Sequence, residues 1–337
     1  MTERLRRDPS IDSLRGIAVL LMIAGHVGFG AFANNYIHAF HMPLFYFVSG
    51  LVFKPERYDS FLSLAKKLFR RLIVPYLVVG LFHCLLQCVI EWISGDEVLI
   101  LKHLLEVCWV NNDGFPIAGA LWFLTSLFWV QLFVYGFWRL FCGKTWWMLL
   151  ACVAVFCACI PLYRYNTLLP WSLMTTMAGA VFFAGAMALK KHFDKILSWA
   201  KLPLVLLALA ASVVLSYING EVNLRECNYG RFAPLFLAVA FLIVISLWVL
   251  NHRAWQWEFR ITKKLGGVLA NMGKDSLVYV FINALAIRLV QFLAGLFLTP
   301  HSTVQVILLN LAIFAVATTL MYCFAKLLSK TPIRKLF

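Results

Sequence analysis

Charge is scarce in this chain. Only 13% of its 337 residues are Asp, Glu, Lys or Arg, and acids are the scarcer half, 15 against 30 bases. A soluble domain of this size covers its surface largely with charged side chains, so a soluble fold is excluded. The net charge of +15 does not indicate nucleic acid, because no aromatic-interleaved basic patch stands outside an apolar context. No polar linker, low-complexity tract or internal repeat is visible. One membrane-embedded domain over 1–337 is therefore expected, with a short cytoplasmic N-terminal segment 1–12. A cleavable signal peptide is not expected either. Met1–Ser10 is basic, but the apolar run behind it contains Arg15 and His26 and is followed by further runs. The nine cysteines offer little chemistry. Cys84 and Cys88 are four apart, yet no second pair lies near to complete a metal site, and no metal is expected. Most others sit in apolar segments, where cysteine acts as a small apolar residue. Only Cys108 and Cys227 fall in loops expected outside, where an oxidising compartment would permit a disulfide.

What the chain has in abundance is apolar length. It is 62% hydrophobic, with a mean hydropathy of +0.83. The expected fold is an all-α integral membrane protein of about ten transmembrane helices, near 14–31, 39–53, 72–93, 118–138, 146–162, 171–189, 203–219, 232–250, 276–297 and 304–328. The second is short and holds His41, Pro43 and Ser49-Gly50, so a broken or tilted helix lining a cavity is expected there. With the N-terminus inside, 24 Lys and Arg fall on the inner side and 4 (Lys102, Arg164, Arg225 and Arg231) outside, with Arg15 and Arg288 at or within spans. That asymmetry predicts both termini in the cytoplasm.

Two ionisable residues in the first span are out of keeping with its apolar run. Arg15 and His26 are eleven positions apart, which places them within roughly 20° of one helix face and roughly 16 Å apart along the axis. Asp12, one turn before Arg15, shares that face. Ionisable groups inside a span usually line an interior path or site. With Arg15 at the cytoplasmic surface, His26 is expected near mid-membrane. A histidine there suits proton abstraction from a hydroxyl. The planar arginine fork suits phosphate or carboxylate. A long, thin, phosphate-bearing thioester would meet both. A surface anchor and a packing histidine would look the same, and residue chemistry alone does not choose.

Further candidates follow. His38 is expected in a short external loop, with His41 just inside the second span. Ser49-Gly50 suits close backbone packing. Lys66-Lys67-Leu-Phe-Arg70-Arg71-Leu-Ile-Val-Pro75-Tyr76 stands at the inner entry of the third span, where lipid phosphate or a cofactor phosphate are both served. Lys67 and Arg70 are expected near one helix face. Trp122 reads as an interfacial aromatic or a site residue, Asp275-Ser276 as a helix cap, and Asn283 and Arg288 as polar residues inside the ninth span.

Together these blocks resemble a known family. Asp12-x-x-Arg15-Gly with His26 resembles the arginine–histidine signature of the acyltransferase 3 family of membrane-bound O-acetyltransferases. Phe40-His41-Met-Pro-Leu-Phe-Tyr-Phe-Val-Ser49-Gly50 is similar to the next block, particularly in the fucose 4-O-acetylase-like branch. Lys67-x-x-Arg70-Arg71-Leu-x-x-Pro75-Tyr76, Leu121-Trp122-Phe123-Leu124 and Gly273-Lys274-x-Ser276-Leu-x-Tyr279 also look like family segments. The resemblance implies a multi-pass enzyme of the bacterial inner membrane that moves acetyl from cytoplasmic acetyl-CoA to a hydroxyl of an envelope polysaccharide or lipid-linked glycan. It implies His26 and Arg15 as the essential pair and Lys67 and Arg70 as contacts for the CoA phosphates; Asp12, orienting Arg15, is expected to complete the catalytic set, and Arg15 and Arg71 the cofactor contacts. His38, His41, Ser49, Trp122 and Asn283 are the candidates facing the acceptor. Asn283 stands where many members carry histidine. The rival expectation is a transporter or flippase using His26 as a proton relay.

Overall fold

The computed structural model describes residues 8–110, 119–163, 169–257 and 259–331. Arg4, Arg6, Arg7, Arg164, Arg334 and Lys335 of the charge count lie outside the described residues, as does 111–117 of the loop expected at 94–117.

The expected all-α architecture is what is seen. The chain runs α1 Pro9–Val27, α2 Ala31–Val52, α3 Phe61–Leu68, a π-helical turn Phe69–Ile73, α4 Val74–Ser94, α5 Ile100–Leu105, α6 Trp122–Leu140, α7 Thr145–Cys159, α8 Leu173–Lys190, α9 Phe193–Trp199, α10 Leu202–Asn219, α11 Ala233–Gln256, α12 Arg260–Lys274, α13 Ser276–Gly295 and α14 Thr303–Leu328. A two-stranded hairpin, β1 Val222–Asn223 and β2 Asn228–Tyr229, joins α10 to α11. Nine helical segments among the described residues are long and apolar enough to cross a membrane. The tenth expected span is α2, which has the length, about 33 Å at 22 residues. Its Asn34, Asn35, His38 and His41 reduce its apolar character.

Local sequence sets the ends. Asp8 caps α1, its carboxylate accepting from the Ser10 N–H at 2.8 Å, with Pro9 in the first turn. The helix thus starts five residues before the expected boundary at 14. It ends at Val27, and Gly28 and Gly30 both take positive φ, 87° and 93°. Helix α2 begins at Ala31, so His38 is not in an external loop; it lies two turns into α2. Nor is α2 broken: Pro43 removes one ladder donor, and neighbouring helices hold the rest in line.

The core gathers where helices approach without side chains between them. Gly50 of α2 meets the Phe183 carbonyl of α8, where an added Cβ would collide, so the expected close packing at Ser49-Gly50 is present. Gly16 of α1 meets the Leu269 carbonyl of α12, and Gly273 of α12 meets the Asp12 carbonyl. Ser13 links α1 to α11, donating to Asn251 Oδ1 at 2.7 Å and accepting from the Trp255 indole at 2.6 Å. Asp275 stands at the N-cap of α13, but its side chain makes no capping bond there, contrary to expectation.

Candidate active site

Helix α1 points the Arg15–His26 line at α6. Arg15 lines a pocket with Leu127 and Gln131 of α6, whereas His26 faces Gly119, in the turn that leads into α6. Gly119 precedes Leu127 and Gln131 by 8 and 12 residues, which along a helix is about 12–18 Å. That matches the roughly 16 Å between Arg15 and His26 on α1. The two helices thus run in opposite directions without packing on each other, and one polar residue of α1 faces each end of α6.

The Arg15 end is cationic. Its pocket, about 170 Å³, gathers Arg15, Ser49, Lys54, Arg57, Tyr58, Lys67, Arg71 and Gln131, and among the described residues no acid lines it. Five cations around a space of this size suit a phosphate-sized anion rather than a whole nucleotide. Lys67 also stacks over the Tyr58 ring at 5.0 Å. Arg71 is with Lys67, as expected, but Arg70 is not. Arg70 faces a separate shallow groove of Leu62, Lys66, Phe69 and Phe128. The π turn explains the difference. It closes i→i+5 bonds and so holds more residues per turn than an α-helix. Position i+4 comes into line with Lys67 and i+3 turns away. Lys54 and Arg57 were legible in sequence only as topology charges.

The His26 end holds the titratable groups. His26 Nδ1 lies 2.8 Å from the Met22 carbonyl. A carbonyl only accepts, so Nδ1 carries the proton and the Nε2 lone pair is left open. A Cβ on Gly119 would stand 3.8 Å from Nε2, so the glycine keeps space clear there. The ring is walled by protein yet retains accessible surface. His38 packs on Gly25, next to His26, and its own Nδ1 bonds Asn34 O at 2.8 Å. His41 repeats the pattern with Ile37 O at 2.9 Å, and its ring centroid is 5.0 Å from that of His38. Arg225, in the turn between β1 and β2, lies within electrostatic reach of His26. No group of three His, Cys, Asp or Glu able to hold a metal occurs among the described residues.

The remaining candidates divide. Asn283 on α13 is fully buried, its amide 3.4 Å from the Met22 sulfur, one turn below His26. Its Oδ1 has no hydrogen-bond partner among the described residues. Trp122 is buried in the first turn of α6. Ser49 lines the cationic pocket and donates to the Phe45 carbonyl at 2.8 Å, so its hydroxyl is not offered as a nucleophile. Asp12 is buried against α12, three residues from Arg15. Arg288 is exposed on α13. Cys108 and Cys227 are both free thiols, and Cys227 is buried against Thr175, so the disulfide considered for them is not formed.

No curated protein and no solved structure matches the chain. A family model described as an acyltransferase domain, that of the acyltransferase 3 family, matches residues 8–326, from the cap of α1 into the last turns of α14. With its bundle of apolar helices, the chain belongs to the acyltransferase 3 family and is a multi-pass membrane acyltransferase.

Proposed function

We propose that this acyltransferase moves acetyl from cytoplasmic acetyl-CoA to a hydroxyl of a cell-envelope polysaccharide or its lipid-linked precursor, in the bacterial inner membrane. The observation that carries the reading is the polar line along α1, with Arg15 among five clustered cations at one end and the open imidazole Nε2 of His26 at the other. The charge asymmetry supports a cytoplasmic location for the cationic end. Phosphates of the donor bind Arg15, Lys54, Arg57, Lys67 and Arg71, and the thioester arm runs along the face towards His26. Asp12, buried one turn before Arg15 where α1 closely approaches α12, fixes the orientation of Arg15.

At the far end His26 Nε2 takes the proton of the acceptor hydroxyl as its oxygen attacks the thioester carbonyl. The carbon–sulfur bond breaks, the new ester forms, and the CoA sulfur leaves with the proton from His26. The products are an O-acetyl glycan and free CoA thiol. The Met22 carbonyl fixes the tautomer that this step requires. Acetyl transfer by membranes carrying His26→Ala should fall to background while the protein remains inserted and still binds acetyl-CoA. Undiminished transfer by that variant refutes the assignment, and a trapped acetyl-imidazole on His26 refutes the role as base in favour of a carrier.

A further inference from the structure

At the end of the bundle away from the cationic pocket, a second cleft of about 630 Å³ opens between the start of α2 and the end of α10. Its lining includes Phe32, Asn35, Tyr36, Ser216, Tyr217 and Arg231. Along α2 it is separated from the Lys54 end by about 30 Å, the thickness of the hydrocarbon layer. None of these residues belongs to the site described above.

The base of the cleft is rigid. Asn219 accepts from the Phe232 N–H at 3.0 Å and donates to the Tyr229 carbonyl at 2.9 Å. Its own carbonyl accepts the Arg231 N–H at 2.7 Å. Gly230, at φ 76°, lets the chain turn against it. Tyr36 is tied to Ser212 at 2.8 Å, and Asn34 holds the Phe29 N–H at 2.9 Å. Against this bonded frame two side chains are unengaged. Neither the Arg231 guanidinium nor the Asn35 amide has a hydrogen bond or an ion pair among the described residues. Above them Phe32 and Tyr217 are 59% and 74% exposed, with ring centroids 6.3 Å apart. Two flat apolar faces, a free amide and a pinned arginine with a free head suit a hydroxylated ring bearing a negative group. An arginine fork pairs carboxylate or phosphate. A lipid phosphate alone would use the cation and leave the amide idle.

We propose that this α2–α10 cleft binds an anionic sugar, a pyranose carrying carboxylate or phosphate, with Arg231 on the charge and Asn35 on the hydroxyls. This rests on the acetyl-transfer reading for its purpose, since the cleft would dock the acceptor glycan. Ala31, Asn35 and His38 recur at helical spacing on α2, and His38 packs beside His26, so the cleft leads towards the base.

The full chain in lipid nanodiscs would be titrated with a short oligogalacturonate, with the same oligosaccharide after carboxyl reduction, and with glucose 1-phosphate. Arg231→Gln and Asn35→Ala would be compared with wild type. Neither side chain carries a structural bond, so both variants should fold. Expected is binding of at least one anionic sugar, weakened about ten- to a hundredfold in Arg231→Gln, with no effect of that change on the neutral form. Acetyl-CoA binding should be unchanged in both variants. Wild type that binds no anionic sugar, equal binding by wild type and Arg231→Gln, or a dependence of Arg231 only on anionic lipid in the disc overturns the cleft. Arg231-dependent sugar binding without acetyl transfer by wild type overturns the acetyltransferase reading and leaves the cleft standing.

Discussion

Arg70 and Arg71 are neighbours in sequence that the π turn sends to different surfaces, which makes them a matched pair for testing the donor site. Arg71→Gln removes one of five cations from the pocket, whereas Arg70→Gln alters only the groove of Leu62, Lys66, Phe69 and Phe128. A charge-assisted hydrogen bond to an anion contributes about 1.5–3 kcal/mol. The pocket is open to water, so the lower end applies. At about 1.4 kcal/mol per decade, Arg71→Gln should weaken acetyl-CoA binding about tenfold. Arg70→Gln should change it less than twofold. Calorimetric titration of the detergent-purified variants with acetyl-CoA reads both numbers. The Arg71 effect should shrink as ionic strength rises, because the Debye length falls from about 10 Å at 0.1 M to about 3 Å at 1 M. Equal losses for the two variants, or a larger loss for Arg70→Gln, would refute the division of the basic segment.

Three further tests address packing and reactivity. Gly273→Ala drives a methyl into the Asp12 carbonyl and should cost about 1–3 kcal/mol in thermal unfolding, whereas Gly267→Ala, with nothing nearby, should stabilise by up to about 1 kcal/mol. Asn219→Ala orphans the buried Tyr229 carbonyl and releases the part-buried Phe232 N–H, and should cost about 1–3 kcal/mol by the same measurement. Burial pushes the Cys227 thiol up from its ordinary pKa, so it stays protonated at a pH where an ordinary thiol begins to ionise. Maleimide should therefore label the exposed Cys108 and Cys142 at neutral pH and spare Cys227, and its labelling should begin only at higher pH than theirs.

Hydropathy carried most of the fold because a membrane helix must bury its backbone polarity within itself, and apolar length shows this directly. The failures have particular causes. Helix α12 mixes Arg260, Lys263 and Lys264 with Gly266 and Gly267, so no apolar window marks it, and only packing on α1 reveals it. The early turns of α2 carry Asn34, Asn35 and His38, which sequence reading assigns to a loop. Their side chains face neighbouring helices and the cleft rather than lipid. At the site, the spacing of Arg15 and His26 was legible because an unbroken helix preserves periodicity. Arg70 was misplaced because the π turn breaks it. The open Nε2 of His26 depends on a backbone carbonyl accepting from the ring, which residue identity does not encode.

The π turn at Phe69–Ile73 has one more consequence. A helix containing it has one residue more than a regular helix uses over the same rotation, because five residues of π turn and four of α-helix both come to a little over one revolution. Excising a single residue there would restore a regular helix and leave Lys67 and Pro75 nearly in their present phase, while moving Arg70 and Arg71 to new places on the turn. The donor pocket is thus encoded partly as a count of residues rather than as their identities. Which of two adjacent arginines reaches the pocket depends on that count.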